Sequence, residues 1–176
     1  MSHSAALPFL LKRGTQVFTS SGMTTTRETI HGLLRLETNQ LTIQWRVGRK
    51  TERLDEEIRT DAEVEPVRQL VVPLRGIAGA AVRRRWRDWL FGPRLVLTAA
   101  DLSAFEDLAG EGGLSLDHPA ELILRLRRSD RLAAEEFGAE LALAIAEHDV
   151  AAAGKKATLE DQRSGAPQGH RISDGH

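Results

Sequence analysis

Residues 30–47, IHGLLRLETNQLTIQWRV, decide the fold. Apolar residues alternate with more polar ones on both sides of the central TNQ. Alternation of this kind is typical of a half-buried strand, because successive side chains of a strand point to opposite faces of the sheet. Asn39 tolerates the left-handed backbone conformation that tight turns require. The stretch therefore predicts an antiparallel hairpin whose two strands share one buried face.

Later segments with strand-like patterns extend the predicted sheet. They are Val67–Leu74, Gly76–Val82, Arg94–Leu102 and Ala120–Arg128. Pro73 has no N–H to donate, which predicts a strand end or a sheet edge at its position. Residues 50–66 carry seven Asp or Glu residues. For them we expect an exposed connection or a long, partly paired hairpin.

One amphipathic helix is predicted after the strands, from about Asp130 to His148. Its apolar residues recur with a 3.6-residue period and form one stripe: Ala134, Phe137, Leu141, Ala144 and Ile145. His148 would then lie at the helix C-terminus, where the helix dipole favours a cation.

The two ends of the chain show no sustained period. Residues 1–22 are therefore predicted to be a flexible leader, with Met23 as an alternative start, and residues 150–176 a disordered tail. The predicted domain spans residues 23–149. Its fold class is mainly β (α+β): a bent antiparallel sheet or partly open barrel of about seven strands, capped by one C-terminal helix whose apolar stripe covers the sheet.

The hairpin at 30–47, the step VVPLRGIAGAAV and the strand-to-helix ending ELILRLRRSDRLAAEEFGAELALAIAEH together resemble a pleckstrin-homology-like (PH-like) domain of the bacterial kind, in a family of uncharacterised proteins. The resemblance covers roughly residues 28–148 and implies two near-orthogonal sheets closed by one helix. It implies no activity, because such a fold hosts many unrelated binding roles. Phosphoinositide-binding members carry a basic loop between their first two strands, whereas Thr38-Asn39-Gln40 contains no Lys or Arg. This departure argues against inositol-lipid binding.

The composition excludes several classes of function. Without cysteine, the chain has no disulfide, zinc-thiolate site or thiol nucleophile. With 24 basic and 25 acidic residues, it has no global charge that attracts nucleic acid or an anionic membrane. Its apolar runs are shorter than the roughly 20 residues of a membrane helix, and it lacks the pattern of a secretion signal. We therefore expect a soluble, cytoplasmic protein.

The candidate binding residues lie in Val82–Leu97, VRRRWRDWLFGPRLVL. They are Arg83, Arg85, Arg87, Trp89, Leu90 and Phe91. Arginines of this density hold phosphate groups, and the aromatic tip can stack on bases or enter a membrane interface. The segment also fits a hairpin whose arginines line a solvated face, with Gly92-Pro93 as the turn into the next strand. In that interpretation, the acidic run at 52–65 neutralises the arginines.

No catalytic, metal or cofactor site is predicted. The chain has no nucleophile elbow and no glycine-rich phosphate loop before a helix. Its histidines lack metal-ligand spacing. We expect a non-enzymatic module without cofactors that binds an unknown protein or peptide at a sheet edge or in the groove beside the helix. Self-association through the Trp89–Phe91 tip is a variant of this hypothesis. The alternative is an anionic-surface binder, for lipid headgroups or nucleic acid, through the Arg83–Arg94 hairpin; both ligands are less favoured than protein.

Overall fold

The computed structural model describes residues 5–20, 22–54, 58–83, 92–108, 113–114, 116 and 118–164, with side chains up to residue 155. Within them the fold comprises two antiparallel sheets followed by one α-helix. The sheets do not close into a barrel. The predicted fold class, mainly β with a partly open bent sheet and a C-terminal helix, is confirmed.

The first sheet contains five strands: β1 (Ala6–Thr19), β2 (Gly22–Glu37), β3 (Gln40–Leu54), β4 (Ile58–Val64) and β5 (Arg68–Pro73). They follow the order β1-β2-β3-β4. β4 pairs with residues 48–54 of β3, and β5 pairs with residues 40–45 of the same strand. The second sheet has the order β6 (Ile77–Arg83), β7 (Arg94–Ala99) and β8 (Glu121–Arg125). The helix, α1, runs from Arg131 to Ser164.

The predicted hairpin is confirmed. Glu37 pairs with Gln40 across Thr38 and Asn39, and β2 and β3 stay in register up to the pair Met23 and Leu54. The acidic segment contains the long pairing that is one of the two expectations for it, since β4 pairs antiparallel with residues 48–54 of β3. Pro73 ends β5, as its missing N–H predicts.

A single apolar core joins both sheets and the helix. The first sheet contributes the alternating face that includes Ile30, Leu34 and Ile43, and the second contributes Leu95 and Leu97 from β7 and Leu122 and Leu124 from β8. The predicted helix stripe lies on this core: Ala134, Phe137, Leu141 and Ile145 are buried, and Ala144 packs at its margin.

The prediction of a flexible leader is wrong for residues 6–19, which form β1. This strand pairs with β2 over its whole length, and its Leu7 and Phe9 are buried in the core. Phe9 lies over Gly32 of the neighbouring strand, where a Cβ would overlap the phenyl ring. The N-terminal strand is thus an integral part of the sheet.

The predicted disordered tail is wrong for residues 150–164, which continue α1. Ala, Lys, Glu and Gln dominate these residues, and such side chains favour helix even where no apolar face is buried. His148 therefore lies within the helix and not at its C-terminus. Residues 165–176 lie outside the described part.

Within the part of the chain that the structure describes, no helix combines the length and hydropathy needed to cross a membrane.

Candidate functional site

Strands β1 to β4 extend beyond the core as a four-stranded arm. The last row of core side chains joins Leu11, Ile30 and Val47. Beyond it, residues 12–19, 22–29, 48–54 and 58–64 form what we call the β-arm, in which nearly every side chain is at least partly exposed. A sheet that continues past its own core leaves backbone edges and side chains exposed to solvent.

Ion pairs connect neighbouring strands on one face of the β-arm, which is the face that continues the core side of the sheet. Glu28 lies between two arginines, 3.0 Å from Arg49 Nε and 4.0 Å from Arg13 Nη1. Arg49 also lies 3.7 Å from Glu65, which accepts a 3.0 Å hydrogen bond from Arg68. The hydrogen bond and charge of Glu28 raise the pKa of Arg49 above its ordinary value. These ion pairs, which we call the ion-pair ladder, are partly exposed, so they fix the geometry of the strands more than they stabilise the fold.

The opposite face of the β-arm ends in a row of apolar side chains that are exposed or, for Met23, half-buried. Phe18 pairs with Met23, Met23 with Leu54, and Leu54 with Ile58, so one residue from each strand contributes. Phe18 and Ile58 are 74% and 76% exposed. We call these residues the apolar row. Contiguous exposed apolar groups typically mark contact surfaces.

Strand β4 leaves one edge of the β-arm open. The N–H of Glu65 donates to the carbonyl of Val47 at 2.8 Å, which continues the β3–β4 register. Backbone groups of successive strand residues point to alternate sides. The N–H and C=O groups of Ile58, Thr60, Ala62 and Val64 therefore point away from β3. All seven side chains of β4 are exposed.

The other outer edges of this sheet carry prolines. The N–H of Leu36 donates to the carbonyl of Ala5, so the backbone groups of Ala5 and of every second residue after it point toward β2. The backbone of Pro8 therefore points outward from β1. The hydrogen bond from Leu74 to Asn39 directs Pro73 outward from β5. Proline blocks the addition of a further strand because it has no N–H to donate. Within the β-arm, β1 has no proline but carries Lys12 at its outer edge, whereas β4 contains neither proline nor lysine and is therefore better suited to pair with another chain.

The structure describes only one of the candidate residues predicted from sequence. Arg83 ends β6, and its Nη2 lies 4.0 Å from Glu121. The described ion pairs of the acidic run at 52–65 include Lys50 with Glu52 and Arg68 with Glu65. The Lys50 hydrogen bond lowers the pKa of Glu52. Arg85, Arg87, Trp89, Leu90 and Phe91 lie outside the described residues.

Arg83 nevertheless belongs to a row that the sequence did not reveal. It pairs with Arg94 of β7, and Arg94 pairs with Arg125 of β8. These residues, which we call the arginine row, lie on the sheet face opposite the core leucines. Like charges directly opposite one another destabilise a sheet. Because Arg125 lies 42 positions after Arg83 in the sequence, no local pattern could have indicated the row.

A groove of about 610 Å³ lies beside α1. The β2–β3 turn, Pro73 and Arg75 form one side, and α1 forms the other with residues that include His148 and Lys155. The Nδ1 atom of His148 is buried and has no hydrogen-bond partner among the described residues. Its lining mixes polar and charged side chains, among them Arg75, Glu147 and Lys155, with alanines and Pro73.

No group of three or more His, Asp or Glu side chains within the described ranges is arranged to hold a metal ion. The contacts between carboxylates and arginines in the β-arm are ion pairs between strands.

No family model matches the chain, and neither does any curated protein or solved structure.

Proposed function

We propose that this protein is a non-enzymatic interaction module that binds a strand of a partner protein along β4. The observation that supports the proposal most directly is the open edge itself: outward backbone groups on Ile58, Thr60, Ala62 and Val64, in a sheet whose other outer edges carry prolines. Addition of an extended segment to such an edge is a common mode of peptide recognition. The PH-like resemblance agrees with this role, since that fold carries diverse binding functions.

The β-arm provides the two properties that strand addition needs. Its ion-pair ladder and long register hold β4 in an extended conformation before a partner arrives, which reduces the entropy cost of binding. On the face that carries the apolar row, β4 itself has no charged side chain, and its Ile58 and Val64 offer apolar contacts to every second side chain of the added strand. Backbone hydrogen bonds would supply the affinity, and these contacts the preference for sequence.

Thr60→Pro should weaken strand addition without unfolding the protein, because it removes a donor that points away from β3. A displayed library of random peptides of about ten residues, long enough to span one strand, is the probe. We expect wild-type protein to enrich peptides that bind at least about ten-fold more weakly to Thr60→Pro, since ladder hydrogen bonds contribute about 1 kcal/mol each and the proline ring adds a steric block.

Val71→Pro is the matched control, because Val71 is an outward residue of the other edge strand, β5. Selected peptides should bind this variant as they bind wild type. The proposal fails if no peptide is enriched, or if the selected peptides bind Thr60→Pro unchanged.

The arginine row supports a second candidate function, the binding of a phosphate-bearing surface. Adjacent strands place Arg83, Arg94 and Arg125 side by side, so one anion could contact all three; Arg83 also lies 4.0 Å from Glu121. Phosphate is the anion that arginine clusters commonly hold. The acidic residues elsewhere in the chain do not oppose this, because salt screens them beyond about 10 Å.

Arg83→Glu combined with Arg125→Glu tests the second function. If the row binds phosphate groups, wild-type protein should sediment with vesicles rich in phosphatidylserine at about 0.1 M salt. The double variant should bind at least about ten-fold more weakly, since each arginine near an anionic surface contributes about 1 kcal/mol. Arg27→Glu, on an exposed strand position of the β-arm, is the control. Equal sedimentation of all three proteins would exclude the arginine row as an anionic-surface site.

A further inference from the structure

The sequence of β4 is nearly symmetric in chemical character about its centre. Asp61 lies in the middle of Ile58–Val64. Moving outward, small Thr60 and Ala62 come first, then the opposite charges of Arg59 and Glu63. The ends are apolar, Ile58 and Val64, with exposures of 76% and 64%. A strand with this symmetry is chemically complementary to an antiparallel copy of itself.

We propose that the partner at this edge is a second copy of the chain, whose β4 pairs antiparallel with the first about a two-fold axis at Asp61. This inference rests on the proposed function, because it uses the same open edge. Two-fold symmetric contacts are the commonest way in which identical chains associate. The result is one continuous sheet that passes through both molecules.

The backbone geometry permits this register. A two-fold axis perpendicular to the sheet places residues of the same face opposite each other, so Ile58 faces Val64 and Thr60 faces Ala62 of the copy. These are the residues whose N–H and C=O groups point away from β3. Each facing pair of this type exchanges two hydrogen bonds. All outward N–H and C=O groups of the described β4 residues then have hydrogen-bond partners.

The side chains favour the same register. Arg59 faces Glu63 of the copy on both sides of the axis, and opposite charges across strands attract. Ile58 covers Val64 of the copy, which adds a fifth apolar side chain to each apolar row. One unfavourable contact remains, because Asp61 faces its own copy at the axis.

The neighbouring register is less favourable. With the axis at Thr60, Arg59 would face Asp61 and no like charges would oppose each other within residues 58–62. However, Ile58 would then face Ala62, and Val64 would lie beyond the paired length of the described strand. The register at Asp61 therefore buries more apolar surface and forms more hydrogen bonds.

Substitution of the axial residue distinguishes the two registers. Asp61→Asn removes the repulsion at the axis and should tighten the dimer about two- to five-fold, as expected for one cross-strand pair. With the axis at Thr60, the same change would remove an attraction to Arg59 and weaken the dimer. Weaker association of Asp61→Asn would overturn the proposed register.

Sedimentation velocity of the full chain, from about 10 µM to about 1 mM, is the measurement, since an interface of one strand edge is expected to be weak. We expect a concentration-dependent dimer that Thr60→Pro weakens at least about ten-fold. Arg59→Glu should weaken it several-fold, and Arg59→Glu with Glu63→Arg should restore it, because the exchanged charges again face each other.

The contrary outcomes are specific. A wild-type chain that stays monomeric throughout this range overturns self-pairing, and the proposed function survives if selected peptides still require Thr60. A dimer that resists Thr60→Pro but dissociates in Trp89→Ser with Phe91→Ser would place the interface at the aromatic tip and also overturn the inference. A dimer sensitive to Thr60→Pro without peptide binding would support self-pairing and refute strand addition by other proteins.

Discussion

A chain that begins at Met23 should lose cooperative unfolding. It would lack β1, which pairs with β2 along its whole length and places Leu7 and Phe9 in the core. Loss of a buried Leu or Phe side chain typically costs about 2–5 kcal/mol each. Domains have only about 5–15 kcal/mol of stability in total, and the β2 edge would also lose its hydrogen bonds. Thermal unfolding followed by circular dichroism and calorimetry should show a broad transition with little heat.

Two phenylalanines of β1 provide a matched test of the same conclusion. Phe9 is 3% exposed and Phe18 is 74% exposed, although both lie in one strand. Phe9→Ala should destabilise the protein by about 3–5 kcal/mol, whereas Phe18→Ala should stay within about 0.5 kcal/mol of wild type. A shortened chain that melts as sharply as the full one, or equal effects of the two substitutions, would show that β1 is dispensable.

The central strands could be predicted from sequence because both of their neighbours are strands and one face is buried. In β2 and β3, this environment imposes strict alternation of apolar and polar residues, and a short turn around Asn39 connects them. The apolar stripe of α1 could be predicted for the same reason, since Phe137 and Leu141 both lie on the side of the helix that faces the core. Local pattern suffices where one surface of an element is uniformly buried.

The edge strand β1 could not be predicted because its local sequence combines features that favour a strand with features that oppose one. Apolar residues follow one another in FLL, so the alternation that places Phe9 inward is hidden. Pro8 resembles a strand breaker, but an edge strand tolerates proline where its nitrogen points outward. The C-terminal part of α1 escaped for a different reason: residues 150–164 propagate a helix by intrinsic preference and carry no apolar period.

The candidate surfaces depend on register, which is a long-range property. The apolar row joins residues as distant in sequence as Phe18 and Ile58, and the arginine row joins Arg83 to Arg125. A shift of one residue in any pairing would move these side chains to opposite faces. Composition identified the charged and apolar residues, but only the strand pairings determine which of them lie together.

Gly92 is a position where local sequence and long-range geometry agree. The pair Gly92-Pro93 predicts the turn into β7, and the structure gives Gly92 a φ of +84° directly before that strand. A Cβ at this residue would overlap the carbonyl oxygen of Leu126 and approach the nitrogen of Arg128 to 3.1 Å. The facing backbone cannot yield easily, because the N–H of Leu126 donates to the carbonyl of Pro93 at 3.0 Å.

Gly92→Ala should therefore destabilise the protein by about 2–5 kcal/mol, the sum of a strained positive φ and a collision with backbone. Gly92→Asn separates the two causes: asparagine tolerates a positive φ but keeps the Cβ, so it should recover only about 1 kcal/mol if the collision dominates. Gly79→Ala in β6, where no atom of the described residues lies within 4 Å of an added Cβ, is the control and should be nearly neutral. Urea unfolding with unchanged m-values measures all three variants. Full recovery by asparagine would assign the requirement for glycine to φ alone, and a neutral Gly92→Ala would contradict the close approach of residues 92 and 126.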